Sequence, residues 1–182
     1  MGWDIMMRIA FALCFAATLS ASAANAAERR IDEFYGRWIG TGQATQGVVN
    51  PVATQSRDSE VIVEKTADGF KISWTTMSSD VGNGAQSRVK SSSMVFKKGK
   101  VAKLYVELKS GNALEGKKTT WARLAGDTLS ISQLVVAEDG QWDMTVYDRT
   151  LKDADHMALS FTRIANGTIS RQAKLSMTRS KE

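Results

Sequence analysis

The sequence predicts an all-β fold, a single antiparallel β-barrel of eight to ten strands. The first observation is that apolar and polar side chains alternate with a period of two residues almost everywhere after residue 34, which is typical of half-buried strands. The second is that glycine-bearing turns, such as Asp68-Gly69 and Asn166-Gly167, separate the segments at regular intervals. Because a flat sheet of so many strands leaves two exposed edges, closure into a barrel or a two-sheet sandwich is expected.

Ten segments carry the alternating pattern. We expect strands near residues 36–45, 57–65, 69–77, 87–97, 101–109, 118–125, 128–137, 141–151, 156–164 and 168–179. Residues 46–56 contain the only proline, Pro51, and form the longest predicted loop, a candidate lid. Residues 31–35 are expected to form a short helical turn that plugs the mouth of the barrel.

Residues 1–27 have the anatomy of a cleaved signal peptide. An apolar run from Ile9 to Leu19 precedes a stretch of small residues, and the run is too short to span a bilayer. Residues 1–6 make a poor leader start, whereas Met7 opens a compact positive one, so translation is predicted to begin at Met7. We therefore expect a periplasmic or secreted protein whose mature domain, residues 28–182, has no transmembrane segment. The only cysteine, Cys14, would leave with the leader, so no disulfide is expected.

The basic character of the chain restricts its partners. A net charge of +5 suits nucleic acid, anionic lipid or an acidic polymer, and export argues against nucleic acid. The densest basic patch is expected to be the solvated tip of a hairpin and consists of Lys97, Lys98, Lys100 and Lys103.

The motifs of common enzyme classes are absent from the sequence, so we expect a protein that is not an enzyme. There is no G-x-S-x-G motif, and a single histidine cannot supply a metal cluster or a catalytic triad. No metal and no cofactor is predicted. An acid–base role for Asp148 is the alternative, because that residue shares the predicted inner face of its strand with Trp142 and would need a cationic partner there.

Aromatic residues on the predicted inner faces supply the ligand hypothesis. Phe70, Trp74, Trp142 and Phe161 fall on apolar faces of three strands and would either pack as a core or line a pocket. Arg163 continues the apolar register of Phe161 and is predicted to contact the ligand. An inward cation requires an anion, either Asp148 or a ligand carboxylate, unless its head reaches water at the strand end.

The first predicted strand carries a motif with a known counterpart. Gly36-Arg37-Trp38, followed by Gly40 and Gly42, resembles the G-x-W opening of the calycin superfamily, lipocalins and fatty-acid-binding proteins above all. The resemblance implies that Trp38 closes the narrow end of the barrel and that Arg179, on the last strand, packs across its ring, so both are expected to be structural. The longer G-x-W-x-G-x-G form is also similar to nitrobindin-type haem barrels, which would require His156 as the proximal ligand.

Three functions stay open at this stage besides the enzyme alternative. The leading one is an exported, lipocalin-like protein that binds a small apolar or amphipathic molecule. The second is a filled barrel that acts as an envelope interaction module, with a basic surface for anionic lipid, polysaccharide or protein. The third is a haem barrel that uses His156.

Overall fold

The computed structural model describes residues 29–46, 52–80 and 87–181, so the predicted signal peptide lies outside the described residues. Ten antiparallel strands form a closed barrel in which neighbours along the chain are neighbours in space, and β1 pairs with β10 to close the ring. The strands are β1 (Gly36–Gln46), β2 (Val52–Lys65), β3 (Gly69–Asp80), β4 (Arg88–Lys98), β5 (Leu104–Glu107), β6 (Thr119–Ala125), β7 (Thr128–Val136), β8 (Trp142–Leu151), β9 (His156–Ala165) and β10 (Thr168–Arg179). The predicted all-β barrel is confirmed.

Two predicted boundaries are wrong. The bounds of the candidate lid, residues 46–56, are wrong because Gln46 belongs to β1 and residues 52–56 belong to β2. Residues 47–51, including Pro51, lie outside the described residues. β5 is also shorter than predicted and spans only Leu104–Glu107. The polar run of residues 54–57, Thr-Gln-Ser-Arg, concealed the start of β2, because it carries no apolar side chain from which an alternation pattern can be recognised.

Short helices complete the described part of the chain. The predicted helical turn near residues 31–35 is confirmed as a 3₁₀ helix, Ile31–Phe34, and a second 3₁₀ helix spans Ala113–Glu115. Within these residues, no helix has the length and apolar character that crossing a bilayer requires.

One end of the barrel is closed by Trp38. Its side chain is fully buried, and its Nε1 donates a hydrogen bond to the backbone oxygen of Phe34 at 3.0 Å. The guanidinium of Arg179 lies over the ring, with Cζ 4.1 Å from the ring centroid, and donates to the backbone oxygens of Glu33 (2.8 Å) and Tyr35. The contact that the sequence predicts between Trp38 and Arg179 is therefore present, and it ties the first helix to the barrel wall.

Aromatic packing fills the same half of the barrel. Phe70 stacks on Phe96, with ring centroids 4.9 Å apart, and meets the edge of Tyr105 at 5.1 Å. All three are buried. The core thus occupies the end that carries Trp38, and the space that remains lies toward the other end of the barrel.

The glycines of β1 allow the barrel to close. A Cβ atom on Gly40 would lie 2.2 Å from the backbone oxygen of Ser176, and one on Gly42 would lie 2.0 Å from that of Lys174. Both oxygens belong to β10, so only glycine permits β1 and β10 to approach this closely. The second and third glycines of the G-x-W-x-G-x-G motif are therefore explained by backbone packing.

Gly42→Ala is expected to lower the free energy of unfolding by about 1–3 kcal/mol, since the added methyl group forces β1 away from β10. Urea denaturation followed by circular dichroism measures the loss. Gly140→Asn is the control, because Gly140 has a φ of 80° that Asn tolerates and nothing lies within 4 Å of an added Cβ. The control should lose less stability than Gly42→Ala, because Asn at Gly140 carries only the cost of the left-handed backbone, about 1 kcal/mol or less. Equal losses in the two variants would contradict the explanation by close approach of β1 and β10.

Candidate ligand-binding cavity

A cavity of about 240 Å³ lies inside the barrel, on the side away from Trp38. Its wall comes from β2, β3, β4, β8, β9 and β10. β4 pairs with β5 only from Phe96 to Lys98. On that side of β4, the described residues pair no strand with the backbone of Arg88 and Lys90, so the wall has an opening there. The barrel is therefore filled at one end and hollow at the other.

The apolar part of the cavity is a cluster of three aromatic rings. The rings of Trp74 and Tyr147 have centroids 5.6 Å apart, and those of Tyr147 and Phe161 are 5.1 Å apart. The rings meet at interplanar angles of 46° and 52°, so they present faces and edges rather than one flat wall. Val61, Leu159 and Leu175 also line the cavity and extend this apolar surface.

Arg149 is the most unusual side chain of the cavity. It is only 1% exposed, and its Nε and Nη1 atoms are buried with no hydrogen-bond partner among the described residues. Its Cζ lies 5.6 Å from the centroid of the Tyr147 ring and 6.0 Å from that of the Trp74 ring. Burial lowers the pKa of Arg149 to about 10, so the guanidinium still carries its charge at neutral pH.

A second cationic centre consists of Arg57 and Arg171. Their Nη2 atoms share one acceptor, the Oε1 of Gln55, at 3.4 Å and 2.6 Å respectively. The Nε atom of each arginine is buried and has no hydrogen-bond partner among the described residues. Burial lowers the pKa of Arg57, and the positive charge of Arg171 lowers it further.

Arg149 and Arg57 approach the cavity from different walls, and Arg171 on β10 lies between them in strand order. Directly paired residues on neighbouring strands connect the two arginines: Arg149 (β8), Leu159 (β9), Leu175 (β10), Gly42 (β1) and Arg57 (β2). Arg149 and Arg57 are therefore four strands apart in a barrel of ten, nearly opposite each other.

The charge of the cavity is unbalanced. Its described lining contains five basic residues and no Asp or Glu; the five are Arg57, Arg88, Lys90, Arg149 and Arg171. Three of them belong to the two centres described above, whereas Arg88 and Lys90 are exposed. Such a cavity attracts an anion.

The predicted inner face of β8 is wrong. Tyr147, Arg149 and Leu151 point into the barrel, so Trp142 and Asp148 are on the outer face. Asp148 accepts a hydrogen bond from the Ser130 hydroxyl at 2.6 Å and lines an outer groove, so it cannot neutralise the cavity from within. Both faces of β8 carry large apolar side chains, so the alternation pattern could not show which face points into the barrel.

The other predicted site residues divide between the cavity and its surroundings. Trp74 and Phe161 line the cavity, whereas Phe70 belongs to the core beside Phe96 and Trp142 lies outside. Arg163 lies on the inner face of β9 but near its end, where it is 54% exposed and its Nε donates to Asp143 Oδ2 at 2.7 Å. It is therefore a surface ion pair and does not contact the cavity.

Four residues of the cavity lining were not predicted from the sequence: Gln55, Arg57, Tyr147 and Arg149. Arg57 is in register with the buried Val61 and Val63, and that spacing of two residues was the signal available in the sequence. The polar residues before Arg57 concealed it, because they were assigned to the predicted lid.

His156 lies outside the cavity. It is at the start of β9, its side chain is 60% exposed, and its Nδ1 is 2.8 Å from the Asp153 carboxylate. This position does not supply a proximal haem ligand inside the barrel. No group of three His, Cys, Asp or Glu side chains suited to a metal ion occurs among residues 29–46, 52–80 and 87–181.

No protein-family model and no curated protein matches the chain. Among solved structures, a protein of unknown function from the DUF3598 family of Nostoc punctiforme superposes with a TM-score of 0.51 at 13% identity, over 84% of this chain and 50% of that one. The chain thus spans about half the length of that protein. The S-type phycobiliprotein lyase CPES from Guillardia theta gives a TM-score of 0.48 at 9% identity, covering 84% and 91% of the two chains. The structure of EF1p2_mFAP2b bound to DFHBI gives 0.40 at 9% identity, covering 82% and 95%. At 13% identity, the likeness to the DUF3598 protein establishes the barrel fold alone.

Proposed function

We propose that the protein is an exported, non-enzymatic binding protein whose barrel holds one small amphipathic anion. The apolar body of the ligand lies against Trp74, Tyr147 and Phe161, and its acidic group meets Arg149. The G-x-W motif and the contact between Trp38 and Arg179 suit a calycin-type barrel, in which such an interior site is expected.

The observation that carries the proposal is the buried guanidinium of Arg149. A buried charge without a partner costs several kcal/mol, since the side chain loses its hydration and gains no ion pair in return. Carboxylates and related oxyanions form the strongest hydrogen bonds with arginine. A ligand oxyanion in the cavity would supply the negative charge that the described lining lacks.

The size of the cavity limits the ligand. Its volume of about 240 Å³ is below the 300–1,000 Å³ that is common for drug-sized ligands. A small aromatic or short-chain acid therefore fits better than a long-chain lipid. The hollow half of the barrel also favours this function over the envelope module with a filled interior.

Anilinonaphthalene sulfonate (ANS) is an aromatic anion that tests the proposal, and phenylnaphthylamine is the same body without the charge. Arg149→Met is expected to weaken ANS binding at least about tenfold, because it removes the one fully buried cation among the described residues, whereas phenylnaphthylamine should bind within about twofold of its wild-type affinity. Fluorescence titration at constant ionic strength measures both constants.

Arg123→Met is the matched control, because Arg123 is an exposed arginine on the outer face of β6. It should leave ANS binding unchanged. Equal affinities of wild type and Arg149→Met for ANS, with circular dichroism showing that both are folded, would refute a role for Arg149 in anion binding.

Export forms a separate part of the proposal. It is supported by the apolar run and the small residues within the first 27 positions. We expect the protein from a periplasmic fraction to begin at residue 28, which N-terminal sequencing measures. An intact leader on the mature protein would contradict export by this route.

A further inference from the structure

We infer that the ligand carries two negative charges, one for Arg149 and one for the pair Arg57 and Arg171. This inference rests on the proposed function and specifies its ligand class. A flat apolar body with two acidic groups, such as an aromatic dicarboxylate, has the required chemistry.

The separation of the two cationic centres supports the inference. Arg149 and Arg57 are four strands apart around a ring of ten, and they extend into the same cavity from nearly opposite walls. One carboxylate held by Arg149 would leave the other centre without a negative charge among the described lining residues. An uncompensated charge is costly in a space that is partly shielded from water.

Arg57 and Arg171 share one acceptor, which supports a second anion at this centre. Gln55 Oε1 is within 3.4 Å of one Nη2 and 2.6 Å of the other, so a single neutral oxygen lies between two like charges. A carboxylate oxygen is a stronger acceptor than an amide oxygen and also neutralises charge. The geometry points to a site for a ligand oxyanion beside Gln55, near the two guanidinium groups.

The aromatic rings of the cavity can hold the body of a ligand with two acidic groups. Trp74, Tyr147 and Phe161 line the same cavity, and Arg149 already lies near the Tyr147 and Trp74 rings. An aromatic body placed among these rings can extend one acidic group toward each wall. Arg88 and Lys90 at the exposed rim would attract such a dianion more strongly than a monoanion.

Competition with ANS tests the inference with benzoate and its three dicarboxylate relatives, phthalate, isophthalate and terephthalate. The three isomers sample three separations of the acidic groups on one ring. At pH 8 and constant ionic strength, we expect the best isomer to displace ANS from wild-type protein with an inhibition constant at least about tenfold below that of benzoate.

The variants assign each charge to its centre. Arg171→Gln should bring the ratio of the benzoate constant to the dicarboxylate constant close to one while changing benzoate affinity by less than about twofold. Arg57→Gln is the second variant of the same centre and should behave alike, in case one of the two does not fold. Lys174→Gln, at an exposed site on the outer face of β10, is the control and should keep the full ratio.

Two results overturn the inference, and they are distinguishable. If ANS and benzoate bind in a manner that depends on Arg149 but no dicarboxylate binds more tightly than benzoate, the proposed function stands and the second charge is wrong. If wild-type protein binds neither ANS nor benzoate, the proposed function and the inference fail together.

Discussion

Arg149→Met is expected to raise the stability of the protein by about 1–2 kcal/mol, although the same change weakens the binding of ANS. Replacing a buried charge with an apolar side chain of similar volume is often neutral or stabilising by about 1–4 kcal/mol. The loss of the cation–π contacts with Tyr147 and Trp74 offsets about 0.5–2 kcal/mol of that gain. Urea denaturation of the ligand-free protein at pH 7 measures the difference.

Two controls separate charge from packing. Arg149→Lys keeps a buried cation and should not stabilise the protein. Arg123→Met removes an exposed arginine and should change stability by less than about 0.5 kcal/mol. A loss of about 2 kcal/mol or more in Arg149→Met would show that Arg149 stabilises the fold. It would contradict the free-energy cost assigned to its unpaired charge.

The pH dependence of this gain has a definite sign. Burial lowers the pKa of Arg149 to about 10 in the folded protein, below its value in the unfolded chain. Below pH 10 both states carry the proton, and the folded state bears the full cost of the buried charge. Above pH 10 the unfolded state binds more protons than the folded state, so wild-type stability rises relative to Arg149→Met. The advantage of the variant should therefore shrink in alkaline buffer.

The strands that the sequence predicts correctly are those with one apolar face. In β3 and β10, residues such as Phe70, Ile72, Leu175 and Met177 are buried at alternate positions, so the pattern has a single phase. Trp74 and Phe161 were predicted for the cavity because they continue such faces. The motif residues Trp38 and Arg179 were found through a resemblance, and their contact is explained by the packing at the end of the barrel.

The residues that the sequence did not reveal are polar side chains on inner faces. Arg149 and Arg57 occupy positions where alternation predicts apolar residues, so a pattern based on hydrophobicity assigns them to the surface or to a loop. A stable core favours apolar residues on inner faces, whereas a binding site can require a charge there. Departures from the apolar pattern are therefore concentrated at functional positions. Arg149 and Arg57 became recognisable as inner residues only when the register of ten strands placed them around one space.

Trp38→Ala is expected to lower the free energy of unfolding by about 3–5 kcal/mol, the largest loss among the substitutions considered. The indole is fully buried, donates to the Phe34 carbonyl oxygen and lies under the Arg179 guanidinium. Removing it leaves a cavity, and it also takes away the surface against which Arg179 packs. Equilibrium unfolding in urea measures the change, provided that the variant is folded at low temperature.

Trp142→Ala is the matched control because it removes the same ring from the outer face of β8, where the side chain is only partly buried. Its loss should stay below about 1.5 kcal/mol, and equal losses at the two positions would contradict the assignment of β8 faces. Trp38→Phe keeps most of the apolar volume and should recover more than half of the stability. Since Trp38 closes the end of the barrel away from the cavity, the folded fraction of each Trp38 variant should bind ANS with wild-type affinity. A selective loss of ANS binding in Trp38→Phe would show instead that the closed end and the arginine site are coupled.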